Sequence, residues 1–164
     1  MTKWDNYFMN VAKESAKLSK DPKTKVGAVL VKDKKILSIG FNGAPRNFPD
    51  ELVPSDEGKT LLEQKNTFMC HAELNSILNY GGHMKDLKGS TLYVTVSPCY
   101  RCAVALAQID VKNVVFLEEY HRTEDTEASK FILDKCGIKC KKFGEWFMII
   151  DTETLKKALD YLRS

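Results

Sequence analysis

Apolar residues recur along this chain in two alternating rhythms, the spacing of helices and the short dense runs of strands, and each changeover marks an element. Trp4, Phe8, Val11 and Ala12 mark an opening helix, which Asp21-Pro22 stops. Residues 26–31 (VGAVLV) and 35–41 (KILSIGF) read as strands, joined as a hairpin through Lys32-Asp33-Lys34. Residues 42–66 follow neither rhythm and carry Pro45, Pro49 and Pro54; so long a connection in a compact domain is either functional or disordered. Helical spacing returns at 71–80 (HAELNSILNY) through Ala72, Leu74, Ile77 and Leu78, and Gly81-Gly82 follows it. A strand at 90–96 (STLYVTV) then runs to Pro98, which suits the start of a second helix at 99–109. Beyond it come a strand at 113–117, a helix at 125–136 capped by Gly137, and short strands at 138–143 and 146–150. A closing helix starts at Thr152, its N-cap, and buries Leu155, Leu159 and Leu162.

Strands separated by helices imply parallel pairs, whereas the first hairpin is antiparallel. The expected architecture is α/β, a mixed sheet with helices on both faces. With 164 residues, 43% of them hydrophobic, and no repeat, low-complexity tract or linker, a single domain over 1–164 can bury a substantial core.

Charge and cysteine usage narrow the function classes. The net charge of +3 is modest, and the lysine clusters (Lys20, Lys23, Lys25; Lys32, Lys34, Lys35; Lys139, Lys141, Lys142) are interspersed with acids. There is no arginine-rich stripe interleaved with aromatics, so a small phosphorylated molecule fits better than a nucleic acid strand. No apolar run approaches the length of a bilayer, and residues 1–20 pattern as an amphipathic helix rather than a secretory signal; a cytoplasmic protein with no membrane partner is expected. Five cysteines, an odd number, do not suggest a disulfide framework, and Cys136 and Cys140 are expected to pack in the core.

The chemistry is concentrated in two short motifs. His71-Ala72-Glu73 and Pro98-Cys99-Tyr100-Arg101-Cys102 supply one imidazole, two thiolates and a separate carboxylate. Three such ligands fill three corners of a tetrahedral Zn²⁺ site, and the open fourth corner distinguishes a catalytic from a structural site. His71 and Glu73 are expected in the first turn of one helix, and Cys99 and Cys102, three apart, on one face of the next. Alone, a C-x-x-C is as readily a redox pair or half of a structural zinc site. The nearest fourth ligand is Cys70, but neighbouring helical residues point about 100° apart, which assigns it to packing as a small buried side chain. Together and in this order, the motifs are the signature of zinc-dependent base deamination, in which the glutamate lies off the metal and moves protons.

Four stretches extend the pattern: 19–28 with Ser19-Lys20-Asp21-Pro22, 39–45 with Gly40-Phe41-Asn42-Gly43-Ala44-Pro45, 70–77 with Cys70-His71-Ala72-Glu73-Leu74-Asn75, and 98–103. Over nearly its whole length the chain resembles the deoxycytidylate deaminases of the cytidine deaminase superfamily. The resemblance implies a three-layer α/β/α fold with a five-stranded mixed sheet. It also implies hydrolysis of dCMP to dUMP and ammonia, with Zn²⁺ on His71, Cys99 and Cys102 and Glu73 as the acid and base that serves N3 and then the departing amine. It further implies substrate contacts from Asn42 to the sugar 3′ hydroxyl, from the Ala72 N–H to the pyrimidine O2 and from the Ser97 carbonyl to the exocyclic amine, with Asn75 and Tyr120 beside them. Asn42 can equally be a turn residue before Gly43, Asn75 a fixer of the loop and Tyr120 a packing aromatic. Arg46 and Lys65 are the candidates for the 5′ phosphate, while His83 and His121 read as surface residues. A homohexamer activated by dCTP and inhibited by dTTP is implied as well. Phe41, where the family commonly has Tyr, and the lack of Trp after Pro54 are the departures, both near the loop tied to regulation. The competing classes are a deaminase of cytosine or adenosine in RNA or DNA and a non-catalytic zinc-stabilised binding module.

Overall fold

A computed structural model describes residues 2–55 and 58–144. The strand expected at 146–150 and the closing helix from Thr152 lie outside the described residues. The elements are α1 (Lys3–Ala16), β1 (Gly27–Lys32), β2 (Lys35–Phe41), α2 (Ala72–Leu78), β3 (Thr91–Val96), α3 (Tyr100–Gln108), β4 (Asn113–Glu118), α4 (Thr123–Lys135) and β5 (Lys139–Lys142). The sheet runs β2-β1-β3-β4-β5; β1 is antiparallel to β2 and β3, while β3–β4 and β4–β5 are parallel. The helix-separated strands β2 and β3 do run the same way, as expected, but β1 lies between them.

Alternation along the central strands builds two cores. Ala28, Leu30, Leu92, Val94, Val114 and Phe116 point to one face, where they meet Ala72 and Ile77 of α2, Ala103 and Leu106 of α3 and Leu133 of α4. Val29, Val31, Tyr93 and Val115 point to the other, against Phe8, Met9 and Ala12 of α1. The expected three-layer α/β/α arrangement is thus present. Gly27 and Gly40 permit its closest approaches: a Cβ there would lie 2.0 Å from the Ala12 carbonyl oxygen and 2.3 Å from that of Ala72. The hairpin turns on Asp33 and Lys34 with φ of 50° and 61°, the left-handed pair that suits a two-residue connection, and Lys32 pairs with Lys35.

Several details differ from the reading of the sequence. α1 ends at Ala16, before Asp21-Pro22, and the intervening residues turn toward the sheet through hydrogen bonds from Leu18 and Ser19 to Ser15 and Ala16. In α2 the buried face carries Ala72, Glu73, Ser76 and Ile77, so Leu74 and Leu78 are exposed; a carboxylate takes the place of an apolar side chain because the helix faces the site. Residues 42–68 include short 3₁₀ turns at Asp50–Leu52, Leu61–Glu63 and Lys65–Phe68. Cys136 is exposed, since it is the C-cap of α4 rather than a member of its buried face, whereas Cys140 packs against the larger core.

Asp5 ties α1 to the sheet. Its carboxylate accepts from the Thr2 N–H at 2.7 Å, closing a capping box, and from the Tyr93 hydroxyl at 2.7 Å. Burial alone raises this carboxyl, but the Thr2 and Tyr93 donors outweigh it and hold Asp5 below the ordinary value. A depressed folded pKa stabilises above the unfolded value and is lost as pH falls through the folded one. Asp5→Ala should therefore cost about 1–2 kcal/mol at neutral pH by urea unfolding, a difference that narrows below roughly pH 4.

Candidate active site

Both motifs arrive at the carboxyl end of β3. His71 is the N-cap of α2 and Cys99 the N-cap of α3, each with extended backbone, so these ligands sit just outside their helices while Glu73 and Cys102 lie in the first turns. An antiparallel bridge between Gly43 and Cys70 sets where α2 begins. Asn75 supports it by donating to the Phe41 carbonyl at 2.7 Å.

The His71 Nδ1 lies 3.5 Å from the Sγ of Cys99 and 3.5 Å from that of Cys102. Zn–N of about 2.1 Å and Zn–S of about 2.3 Å at a tetrahedral angle give about 3.6 Å between those ligand atoms, so the donor set fits zinc. Among the described residues these three form the cluster able to hold a metal ion, and Cys70 is outside it. Cys70 is half-buried rather than buried, its sulfur 3.9 Å from the His71 carbonyl oxygen. The interaction between the two neighbouring ligand thiols holds Cys102 up and Cys99 down, to about 4, and burial and Glu73 also raise Cys102 whereas His71 also lowers Cys99. The bond to Cys99 likewise raises His71, ahead of the opposing effect of burial.

Glu73 is only 4% exposed, and burial pushes its carboxyl up to about 6 against the pull of His71. It opens onto a cavity of about 560 Å³ with His71, Ala72, Ser97 and Cys99. Lys23, Lys65, His121 and Arg122 contribute cationic or polar groups to the wall, and Asn42 and Tyr120 line it too. As the first residue of α2, Ala72 presents an N–H that has no partner within the helix. The Ser97 hydroxyl accepts from the Tyr120 N–H at 2.8 Å and fixes the segment after β4, where the Tyr120 ring lies against His121.

This chain has the fold, the ligand set and the buried carboxylate of one lineage, and comparison with known proteins supplies the rest. Residues 2–118 match the family model for the cytidine and deoxycytidylate deaminase zinc-binding region. The chain belongs to that family. It is 38% identical over 157 residues to the deoxycytidylate deaminase of Mus musculus, covering 93% of this chain and 87% of the mouse protein. The deoxycytidylate deaminase of Mycobacterium phage D29 is 36% identical over 124 residues, 71% of this chain and 95% of the phage protein. The dCMP deaminase of cyanophage S-TIM5, solved in complex with dCMP and dUMP, superposes with a TM-score of 0.71 at 29% identity, covering 87% of this chain and 99% of that one. Such relatives make the chain a deaminase.

The sequence-expected residues separate by position. His71, Cys99, Cys102 and Glu73 converge, and Asn42, Ala72, Ser97 and Tyr120 line the same cavity, but Asn75 lies outside its lining and anchors the end of β2. Lys65 reaches the cavity whereas Arg46 bonds Asn79 at 3.0 Å away from it. His83 is exposed, as expected, and His121, also exposed, nevertheless borders the cavity. The residue to which sequence reasoning gave no role in the site is Asp21, read as a helix stop and as part of the 19–28 stretch; its carboxylate accepts the N–H of Lys23 and of Thr24 in the Asx turn that its position before Pro22 could have signalled.

Proposed function

We propose that this deaminase acts on dCMP, releasing dUMP for thymidylate synthesis and ammonia, with Zn²⁺ on His71, Cys99 and Cys102. The observation that carries the reading is Glu73, a buried carboxylate beside a zinc-fitting donor set at the base of a nucleotide-sized cavity whose wall includes Lys23, Lys65 and Arg122 among its charged groups. The mouse and phage relatives named for deoxycytidylate deamination, and the cyanophage protein that holds dCMP and dUMP, support the choice of substrate.

Zinc bound there supplies Lewis acidity for activating water near neutral pH. Glu73 accepts a proton from the attacking water and passes it to N3 of cytosine, so that C4 accepts the new C–O bond. It then carries the second proton to the exocyclic amine; the C4–N bond breaks, ammonia leaves, and the 4-keto pyrimidine remains. The Ala72 N–H is offered to O2 of the base, the Ser97 carbonyl to the amine, the Asn42 amide oxygen to the sugar 3′ hydroxyl and the Tyr120 ring to the nucleotide. Asn75 serves by holding the Phe41 carbonyl, and Lys65 is favoured over Arg46 for the 5′ phosphate because only Lys65 lines the cavity.

Self-association completes the reading. Leu74 and Leu78 on α2 and Tyr100 and Val104 on α3 are exposed apolar side chains, which supports burial against a second copy within a homohexamer. Regulation by dCTP as activator and dTTP as inhibitor belongs with the long 42–66 connection, which leads from Asn42 toward His71. No helix among the described residues is long and apolar enough to cross a membrane, and a cytoplasmic location is part of the proposal.

Steady-state kinetics test it. dCMP should exceed deoxycytidine in kcat/KM by roughly 10-fold or more, the worth of a charge-assisted phosphate contact. Saturation should be sigmoidal alone, near-hyperbolic with dCTP and depressed by dTTP. Equal rates on the nucleotide and nucleoside, or turnover only of cytosine within an oligonucleotide, would overturn the substrate assignment.

A further inference from the structure

Asp21 is 5% exposed and stands where three cavity-lining segments meet. Its carboxylate accepts from the Lys23 N–H at 2.8 Å and the Thr24 N–H at 3.1 Å, within the segment that leads to β1. The Lys65 Nζ donates to both of its oxygens, at 3.0 and 2.8 Å, from the segment before α2. Asn42, at the end of β2, donates its Nδ2 to Asp21 at 3.2 Å. Burial acts to raise this carboxyl, and Lys65 together with the two backbone donors reverses that and keeps it ionised.

The Asn42 amide is consequently locked in one orientation. Its second Nδ2 hydrogen goes to the Thr24 carbonyl at 2.8 Å, and its Oδ1 accepts the Val26 N–H at 2.8 Å. Flipping the amide would set oxygen against the Asp21 carboxylate and the Thr24 carbonyl, and NH₂ against the Val26 N–H, losing all three bonds. Both N–H groups are therefore spent on the protein. What remains for a ligand is the second lone pair of Oδ1, so the group recognised there must be a donor, a hydroxyl rather than an ether or carbonyl.

We infer that Asp21 is a positioning residue for the substrate sugar, acting through Asn42: it accepts one amide N–H itself and holds in its turn Thr24, whose carbonyl accepts the other, which fixes the amide as an acceptor for a sugar hydroxyl. The inference rests on the reading of the cavity as a dCMP site. It assigns a role to an ionised group that the deamination chemistry itself does not use, and gives the Lys65 ammonium the further role of counter-charge to Asp21.

The test compares dCMP with its 3′-deoxy analogue, 2′,3′-dideoxycytidine 5′-monophosphate. The unaltered enzyme should favour dCMP in kcat/KM several-fold to roughly ten-fold, the range for one hydrogen bond. In Asp21→Asn the preference should collapse toward one, mainly through a higher KM for dCMP. Retention of the preference overturns the inference, as does equal loss on both substrates accompanied by a lower Tm, the mark of a purely structural residue. Should Asp21→Asn yield too little folded protein, Asn42→Asp poses the same question. It keeps an acceptor toward the sugar but faces the Asp21 carboxylate, so it is compared with the double variant Asn42→Asp/Asp21→Asn, in which an amide again meets a carboxylate: return of the preference in the double variant supports positioning by Asp21, and equal loss in both overturns it. Absence of dCMP turnover in the unaltered enzyme would instead defeat the substrate reading itself.

Discussion

Glu73→Gln should lower kcat by on the order of 10² or more while leaving bound zinc and Tm close to those of the unaltered protein. Gln has nearly the shape of Glu and fills the same buried space, but it cannot accept the proton from water or return it to N3 and the amine. No other carboxylate on the cavity wall is placed to substitute: Asp21 is held by Lys65, Glu119 is paired with Lys130, and Glu118 is exposed at the end of β4. Burial also matters to the size of the effect. A carboxyl raised to about 6 binds and releases protons near neutral pH, whereas an ordinary solvated carboxylate is a weaker acceptor and rarely acts as the acid. Metal analysis and a single-turnover assay on the same preparation provide the check. A Gln variant that keeps its rate removes Glu73 from the mechanism, and one that loses zinc makes it a support of the metal centre instead.

The convergence of the candidate site was more legible than its surroundings. That His71, Glu73, Cys99 and Cys102 would meet could be read because few residue types suit zinc binding or proton transfer, and their spacing constrains where they lie. The hairpin and central strands were equally plain, since apolar residues buried on both faces of a sheet leave dense runs such as VGAVLV and STLYVTV. Strand order was not. Local pattern says that β2 and β3 share a direction, but the insertion of β1 between them is a pairing of segments distant in sequence, residues 28–31 with 91–94, which local pattern does not carry. Leu74 and Leu78 misled for a related reason: periodicity finds an apolar stripe without saying whether it faces the core, and here the inward stripe includes Glu73 and Ser76. Roles set by hydrogen bonds between distant segments, as for Asp21, Asn42 and Lys65, leave almost no trace in local sequence. The Asn42-Gly43 pair suggested a turn, while in the structure the Asn42 side chain spends its donors on Asp21 and Thr24.

Cys99→Ala should lose zinc, activity and stability together, in contrast to Glu73→Gln. His71 and Cys99 cap α2 and α3, and Cys102 lies one turn into α3, so a metal held by the three cross-links two helix starts at the end of β3. Any ligand that binds the folded state alone stabilises it by mass action, about 2.7 kcal/mol at a free concentration one hundred times its Kd, so chelation should lower the Tm of the unaltered protein. The variant should already show that lower Tm and respond little to chelator. The substitution leaves His71 without one of its two sulfur neighbours, so the remaining pair cannot bind with comparable affinity. Rate should fall at least as far as in Glu73→Gln, because no carboxylate can compensate for losing activation of the attacking water. Combining the two substitutions should cost scarcely more than Cys99→Ala alone, since groups that act as one unit are not additive. A Cys99→Ala protein with one zinc per chain and an unchanged rate would overturn this ligand assignment, and a double variant whose losses multiplied would show that Glu73 and the metal act in separate steps.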